Sequence, residues 1–432
     1  MTEILFFGFI FLCIVPFYKN VKKNMFFTPD TVFVFAFLLY RCTMPLNFLF
    51  FGNDYGYSSD FVDFEDVLSI LMVGSFLIAY NFTKSGIKFP INSDLTDITS
   101  SRNISIALSI FGIVLYALFI VTVYGTPQKM YLVGDRVDLY KSKQGLGFLV
   151  IGRDILLFGL VIAFNRMIYL KKLDPKKNKF SVVLIIVMLL FVAHNLLLGD
   201  RNPILDVIFG ISVVFWLFYK GTRRVIMVVS PVLFLGFVLV GTLRGTPKNS
   251  DYITFITKSS NWSNFDPTSK GELTAHFKID HDVLYITGGE YKLGASYLEA
   301  FVSLIPKNLI PDRPEYLTEW YARKFHKDIF EAGGGFGFSL IAETYMNFGT
   351  LGMVVIGLFI GYSSKKMYGF VFNHLSLVTL SIYGITLYYI FLLPRAGLTP
   401  SIKPYLFSVV VPYFLLSAFF RKKDKIQLTT AV

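Results

Sequence analysis

Long apolar runs alternate with short polar connections along nearly the whole of this 432-residue chain. A run of about 17–25 residues crosses the hydrocarbon core of a bilayer as a helix. Eleven runs reach that length, at 2–18, 31–51, 66–83, 104–124, 148–168, 180–198, 203–219, 225–243, 337–361, 375–393 and 401–420. The first and seventh are the shortest. The pattern predicts an all-α polytopic membrane protein with about 11 transmembrane helices.

The connections predict orientation. Basic clusters follow every odd-numbered run: Lys19/Lys22/Lys23, Lys84/Lys88/Arg102, Arg166/Lys171/Lys172/Lys176/Lys177/Lys179, Lys220/Arg223/Arg224, Lys365/Lys366 and Arg421/Lys422/Lys423/Lys425. Such clusters mark cytoplasmic loops. The even-numbered exits, at 52–65, 125–147, 199–202, 244–336 and 394–400, then lie outside. The first run has no basic segment before it, so it reads as a span entering from outside rather than a cleavable signal peptide. The N-terminus is expected outside and the C-terminus in the cytoplasm. Three regions follow: a bundle of eight spans at 1–243, one large external loop at 244–336, and three more spans at 337–432. Within the loop, Leu293 to Ile310 is apolar but short, with Pro306 and Pro311 at its end. It predicts an interfacial or re-entrant helix.

Composition agrees with a membrane bundle. Charged residues make up 16% of the chain and hydrophobic ones 54%, whereas soluble domains carry about 25% charged residues. The net charge of +12 sits in clusters between apolar runs, which excludes a nucleic-acid partner and leaves a topology signal. Cys13 and Cys42 fall inside apolar runs, and no Cys/His spacing predicts a metal centre. No P-loop, GxSxG, HExxH or dinucleotide-binding glycine pattern is present, which argues against an ATP-driven pump and a metal hydrolase.

The candidate chemistry gathers at the outer edge. In Gly199-Asp200-Arg201-Asn202-Pro203, Asn202 and Pro203 suit the start of the seventh span, which sets Arg201 beside a helix N-terminus. Guanidinium and free backbone N–H groups both attract phosphate. His194 and Asp206 flank that hairpin. Arg395, before Thr399-Pro400, repeats the logic, and Arg244 ends the eighth span. Contact with lipid headgroups is the plainer reading of Arg201 and Arg395, and complementing a helix C-terminus that of Arg244. Arg313 in Pro311-Asp312-Arg313-Pro314 is a further anion contact or a headgroup contact. Arg41 and Glu343 fall at membrane depth, where ionisable side chains mark either a site or an internal ion pair. The loop segment 275–282 holds His276, Asp280, His281 and Asp282. It offers a general base, or is simply a solvated stretch. Gly333 to Ser339 supplies glycines for close approach or plain flexibility.

These pieces resemble the Wzy-type O-antigen and repeat-unit polymerases. The resemblance rests on Gly-Asp-Arg at 199–201, on Ile305-Pro306 to Pro311-Asp312-Arg313, and on Gly333 to Gly352 with Gly-Gly-Phe at 334–336, Ser339, Glu343, Tyr345 and Asn347-Phe348-Gly349. It implies an inner-membrane glycosyltransferase that needs no metal or other cofactor. Such an enzyme moves a growing glycan from undecaprenyl diphosphate onto a sugar hydroxyl of a new lipid-linked repeat unit. Arg201, Arg244, Arg395 and Arg313 are then expected on the diphosphate, with His281, His276 or Glu343 as base. The implied partners are undecaprenyl-diphosphate-linked oligosaccharide, membrane lipid and a chain-length-regulating membrane protein. An O-antigen ligase has similar topology and arginine chemistry. A flippase or exporter of lipid-linked oligosaccharide would instead line a cavity at mid-membrane depth.

Overall fold

Apolar runs fold as helices in a bilayer because only a helix satisfies its own backbone there. The computed structural model describes residues 1–23, 25–52, 56–85, 95, 98–126, 149–176, 178–198, 200, 202–219, 221, 274–286, 291–305, 310, 312–331 and 337–414. Among them the secondary structure is helical throughout. The first half contains α1 (Thr2–Lys22), α2 (Pro29–Arg41), α3 (Thr43–Phe50), α4 (Ser59–Phe82), α5 (Ile98–Phe119, extended by a π turn to Tyr124), α6 (Ile151–Leu173), α7 (Val182–Leu197) and α8 (Asn202–Phe218). Then follow α9 (Ala275–Ile286), α10 (Ala295–Val302), α11 (Leu317–Phe325), α12 (Lys327–Glu331), α13 (Leu340–Asn373), α14 (Leu377–Ala396) and α15 (Thr399–Tyr405).

Helices occupy the described parts of ten of the predicted spans, the eleventh being described only to residue 414; the eighth, 225–243, lies outside the described residues. Among the described residues four helices are long and apolar enough to cross a membrane by themselves: Thr2–Lys22, Ile98–Tyr124, Leu340–Asn373 and Leu377–Ala396. A fifth span results if α2 and α3, bent by 42° at their junction, count as one. The second predicted span is thus broken at Cys42, directly after Arg41. Helix α4 carries Asp60, Asp63, Glu65 and Asp66 in its first turns, and α7 and α8 are 16 and 17 residues long.

The bundle is centred on α14, 83% of whose apolar window is buried, whereas α1 at 17% lies on the periphery. Helix α14 packs on α2 and α8, α4 on α13, and α5 on α6. Without a hydrophobic force between helices in lipid, close backbone contact does the work, and small residues permit it. Gly112 of α5 and Gly152 of α6 face one another so closely that a Cβ on either would strike the opposite backbone.

Among its described residues the segment read as interfacial holds an eight-residue helix, α10, with Leu298 and Phe301 outward and Ser296 and Ala300 inward. The segment 275–282 is part of α9, which is buried against α13 rather than solvated: His276 and Asp280 are fully enclosed. Helix α13 breaks at Gly349, whose φ of 61° and ψ of −154° leave the helical region. The break frees two carbonyls, and the loop supplies their donors: Lys292 N–H reaches Met346 O at 2.9 Å and Leu293 N–H reaches Asn347 O at 3.0 Å. The Asn347-Phe348-Gly349 motif is therefore one joint between α13 and the segment that precedes α10.

Candidate functional site

Three polar constellations lie together around the N-terminal ends of α13 and α15 and the C-terminal end of α14. The first is centred on Arg41. Its Nη1 donates to Glu65 Oε2 at 3.0 Å and forms a short ion pair with Asp280. Its Nη2 donates to Ser339 Oγ at 2.6 Å and to Pro394 O at 3.3 Å. Phe277 covers the guanidinium face at 5.6 Å. Asp280 also accepts from Ala342 N–H at 3.1 Å, at the start of α13, where an anion is favoured. Burial pushes the Asp280 carboxyl above the usual carboxylate range, against the opposing pull of Arg41, Ser339 and Ala342. One guanidinium thus ties α2, α4, α9, α13 and α14 together.

The second is Glu343. Its carboxylate accepts from Leu398 N–H at 2.6 Å, from Thr399 N–H at 3.0 Å and from the Thr399 hydroxyl. It therefore caps α15 from a neighbouring helix, supplying the acceptor that the orphan N–H groups need. Gly397 makes room for it: a Cβ there would collide with Glu343 Oε2, and its φ of 79° suits glycine.

The third is a cavity of about 430 Å³ lined by Arg153, Asp154, Asp200, Asn202, Pro203, Asp206, Thr318, Gly337, Tyr388, Tyr389, Leu392, Arg395, Ala396, Pro400, Ser401 and Pro404. Arg153 donates to Asp200 Oδ2 at 2.7 Å and lies 3.4 Å from Asp154 Oδ1. Behind it, His194 Nε2 meets the Tyr116 hydroxyl at 2.7 Å. The α6–α8 wall carries the three aspartates, and the α14–α15 wall carries Arg395. Arg41 connects this cavity to the first constellation, because it holds the Pro394 carbonyl, one residue before Arg395.

The expected residues divide among these places. Arg395 lines the cavity. Arg201 and Arg244 lie outside the described residues, although Asp200 and Asn202, on either side of Arg201, both line the cavity. Arg313 is elsewhere: it donates to Ser303 O at 2.6 Å and Ile305 O at 2.8 Å, just beyond the end of α10, and packs over Tyr316. His276 is packed between Tyr40 and Phe277 in the Arg41 constellation. His281, one-third exposed, contacts Tyr57, Phe61 and Tyr285. Neighbouring Asp282 accepts from Tyr321 at 2.6 Å, and burial, reinforced by Asp282, pushes the Tyr321 hydroxyl up. None of the three expected bases is among the residues lining the cavity.

Sequence reasoning missed Arg153. Its signal was the Arg153-Asp154 pair inside an apolar run, the same intramembrane charge that singled out Arg41. Among the described residues no group of three or more His, Cys, Asp or Glu side chains is arranged to hold a metal ion.

The family model described as O-antigen polysaccharide polymerase Wzy matches residues 2–423. No curated protein and no solved structure matches the chain.

Proposed function

The chain belongs to the O-antigen polysaccharide polymerase Wzy family, and from that premise we propose the reaction it performs and where. Membership makes it a multi-pass membrane protein of polysaccharide biosynthesis, a glycosyltransferase-like enzyme acting on lipid-linked oligosaccharide. In our reading it transfers a growing glycan from undecaprenyl diphosphate to a sugar hydroxyl of a new lipid-linked repeat unit. The reaction takes place at the outer face of the inner membrane. Eleven spans, an N-terminus outside, a cytoplasmic C-terminus and the large loop 244–336 between bundles 1–243 and 337–432 belong to the same reading.

One observation carries it. Two connections expected on the outer side, 199–202 and 394–400, lie far apart in the chain, yet Asp200, Asn202, Arg395 and Pro400 line a single cavity. A leaving diphosphate needs positive charge where the glycosidic bond breaks. Arg395 supplies it at this cavity, with Arg153 also in the lining, and we assign Arg201, which lies outside the described residues, to the same diphosphate. We assign Arg244, which lies outside the described residues, to the diphosphate as well, while Arg313 holds the carbonyls of Ser303 and Ile305 after α10. Thr318 brings the loop to the cavity wall. The one-third-exposed ring of His281 with Tyr57 and Tyr285 offers flat apolar faces to sugar rings. The reading requires no metal and allows a chain-length-regulating membrane protein to dock on the bundle.

Deleting the encoding locus tests the function. The expected surface glycolipid is a core capped by a single repeat unit, with long chains restored by the wild-type chain. Loss of every repeat unit would point to a ligase or a flippase instead.

A further inference from the structure

We infer that Asp206 is the catalytic base that takes the proton from the acceptor sugar hydroxyl. This rests on the polymerase reading above and supplies the residue that reading still lacks.

Asp154, Asp200 and Asp206 line the cavity and Glu343 stands against Gly397 beside it; of these four carboxylates three are engaged. Glu343 is filled by the start of α15. Asp154 and Asp200 are paired with Arg153. Asp206 is different. It is nine-tenths buried in the cavity wall, and its Oδ1 has no hydrogen-bond partner. Buried polar groups are almost always satisfied, and an exception asks for a ligand or a catalytic role. Asp206 follows Asn202 by one helical turn, so both face the cavity from α8. Tyr388, whose buried hydroxyl also has no partner, lines the same space from α14.

The two walls then divide the labour. The donor diphosphate is held on the Arg395 wall, and the acceptor sugar approaches the Asp206 wall. The acceptor oxygen forms a bond to the donor's anomeric carbon as that carbon's bond to the diphosphate oxygen breaks. The electron pair leaves with undecaprenyl diphosphate. The hydroxyl proton passes to the Asp206 carboxylate and is released to water when product departs. A base must stand within hydrogen-bond reach of the proton it removes, and Asp206, which lines the cavity and keeps Oδ1 without a hydrogen-bond partner, is placed for that role.

The test uses the full-length protein in lipid vesicles, with undecaprenyl-diphosphate-linked repeat units isolated from a polymerase-deletion strain. Asp206→Ala should lower turnover by about 100-fold or more, the usual scale of a general base. Added formate should restore turnover in Asp206→Ala while leaving the wild type unchanged. Binding of undecaprenyl diphosphate should be unaltered. Turnover of Asp206→Ala or Asp206→Asn within about fivefold of wild type overturns the assignment. So does a folded Asp206→Ala that formate does not rescue. Should Asp206→Ala fail to accumulate, Asp206→Asn carries the test: a folded Asn variant with wild-type turnover overturns the assignment, and a folded, inactive one upholds it. A wild-type protein that joins no repeat units fails the underlying reading, which separates the two results.

Discussion

Arg41 and Asp280, 239 residues apart in the chain, form a fully buried ion pair. The guanidinium also holds Glu65, Ser339 and the Pro394 carbonyl, so one side chain links α9 to α2, α4, α13 and α14. A buried pair is a weak source of net stability, but removing one partner strands the other charge. Arg41→Ala is expected to cost about 3–5 kcal/mol. Thermal unfolding of the detergent-solubilised protein, read by size-exclusion chromatography, checks it; an unshifted midpoint would remove Arg41 from the frame.

The same pair predicts a pH dependence. Burial raises the Asp280 carboxyl above its value in the unfolded chain, so folding favours the protonated form. That contribution is complete below the unfolded-chain value of about 4 and is lost as pH rises from there through the higher folded value. Relative to Asp280→Asn, which does not titrate, the wild type should lose stability as pH rises over this window. A difference in melting midpoint that is flat or grows with pH contradicts the assignment.

Glu343 acts as a cap in trans. Glu343→Gln keeps one acceptor oxygen but turns an amide toward a donor, leaving a buried N–H or hydroxyl unsatisfied at about 1–3 kcal/mol. Stability should fall while polymerisation per folded molecule stays within about tenfold of wild type, far less than loss of a general base. Full stability with abolished chain growth would restore Glu343 to the list of bases.

Gly397 has the positive φ that L-residues avoid, and its missing Cβ is the space the Glu343 carboxylate occupies. Gly397→Ala is expected to destabilise by at least about 1–3 kcal/mol and to disturb the neighbouring Arg395. Reduced recovery of folded protein and shortened chains should appear together. Wild-type behaviour in both would mean that the turn relaxes without cost.

Arg395 offers a planar fork that lysine cannot copy. Removing such a charge from a developing diphosphate costs about 10²–10³ in turnover. Arg395→Ala should leave surface glycolipid with mostly single repeat units, and Arg395→Lys should give partial, shortened ladders. Ladders of normal length from Arg395→Ala at wild-type expression would exclude it from the site.

The sequence by itself determined the class of fold and the chemistry to look for. Apolar runs of spanning length must become helices in lipid, and arginines at their ends advertise an anion. Local signals also fixed a boundary, as with Asn202-Pro203 at the start of α8, whereas the Ser339 cap of α13 is visible only in the structure. Only the tertiary structure decided which charges meet. Arg41 and Asp280 were both visible, but nothing in a pattern of period 3.6 brings together residues on helices separated by most of the chain. The same holds for Glu343, an intramembrane acid whose role depends on a turn more than fifty residues later. Arg153 passed unnoticed because an arginine inside an apolar run resembles an anchor until a cavity is found beside it. Asp206 was noted only as a neighbour of the Arg201 hairpin. What distinguishes it is a missing hydrogen bond, and only packing decides whether a buried carboxylate finds a partner.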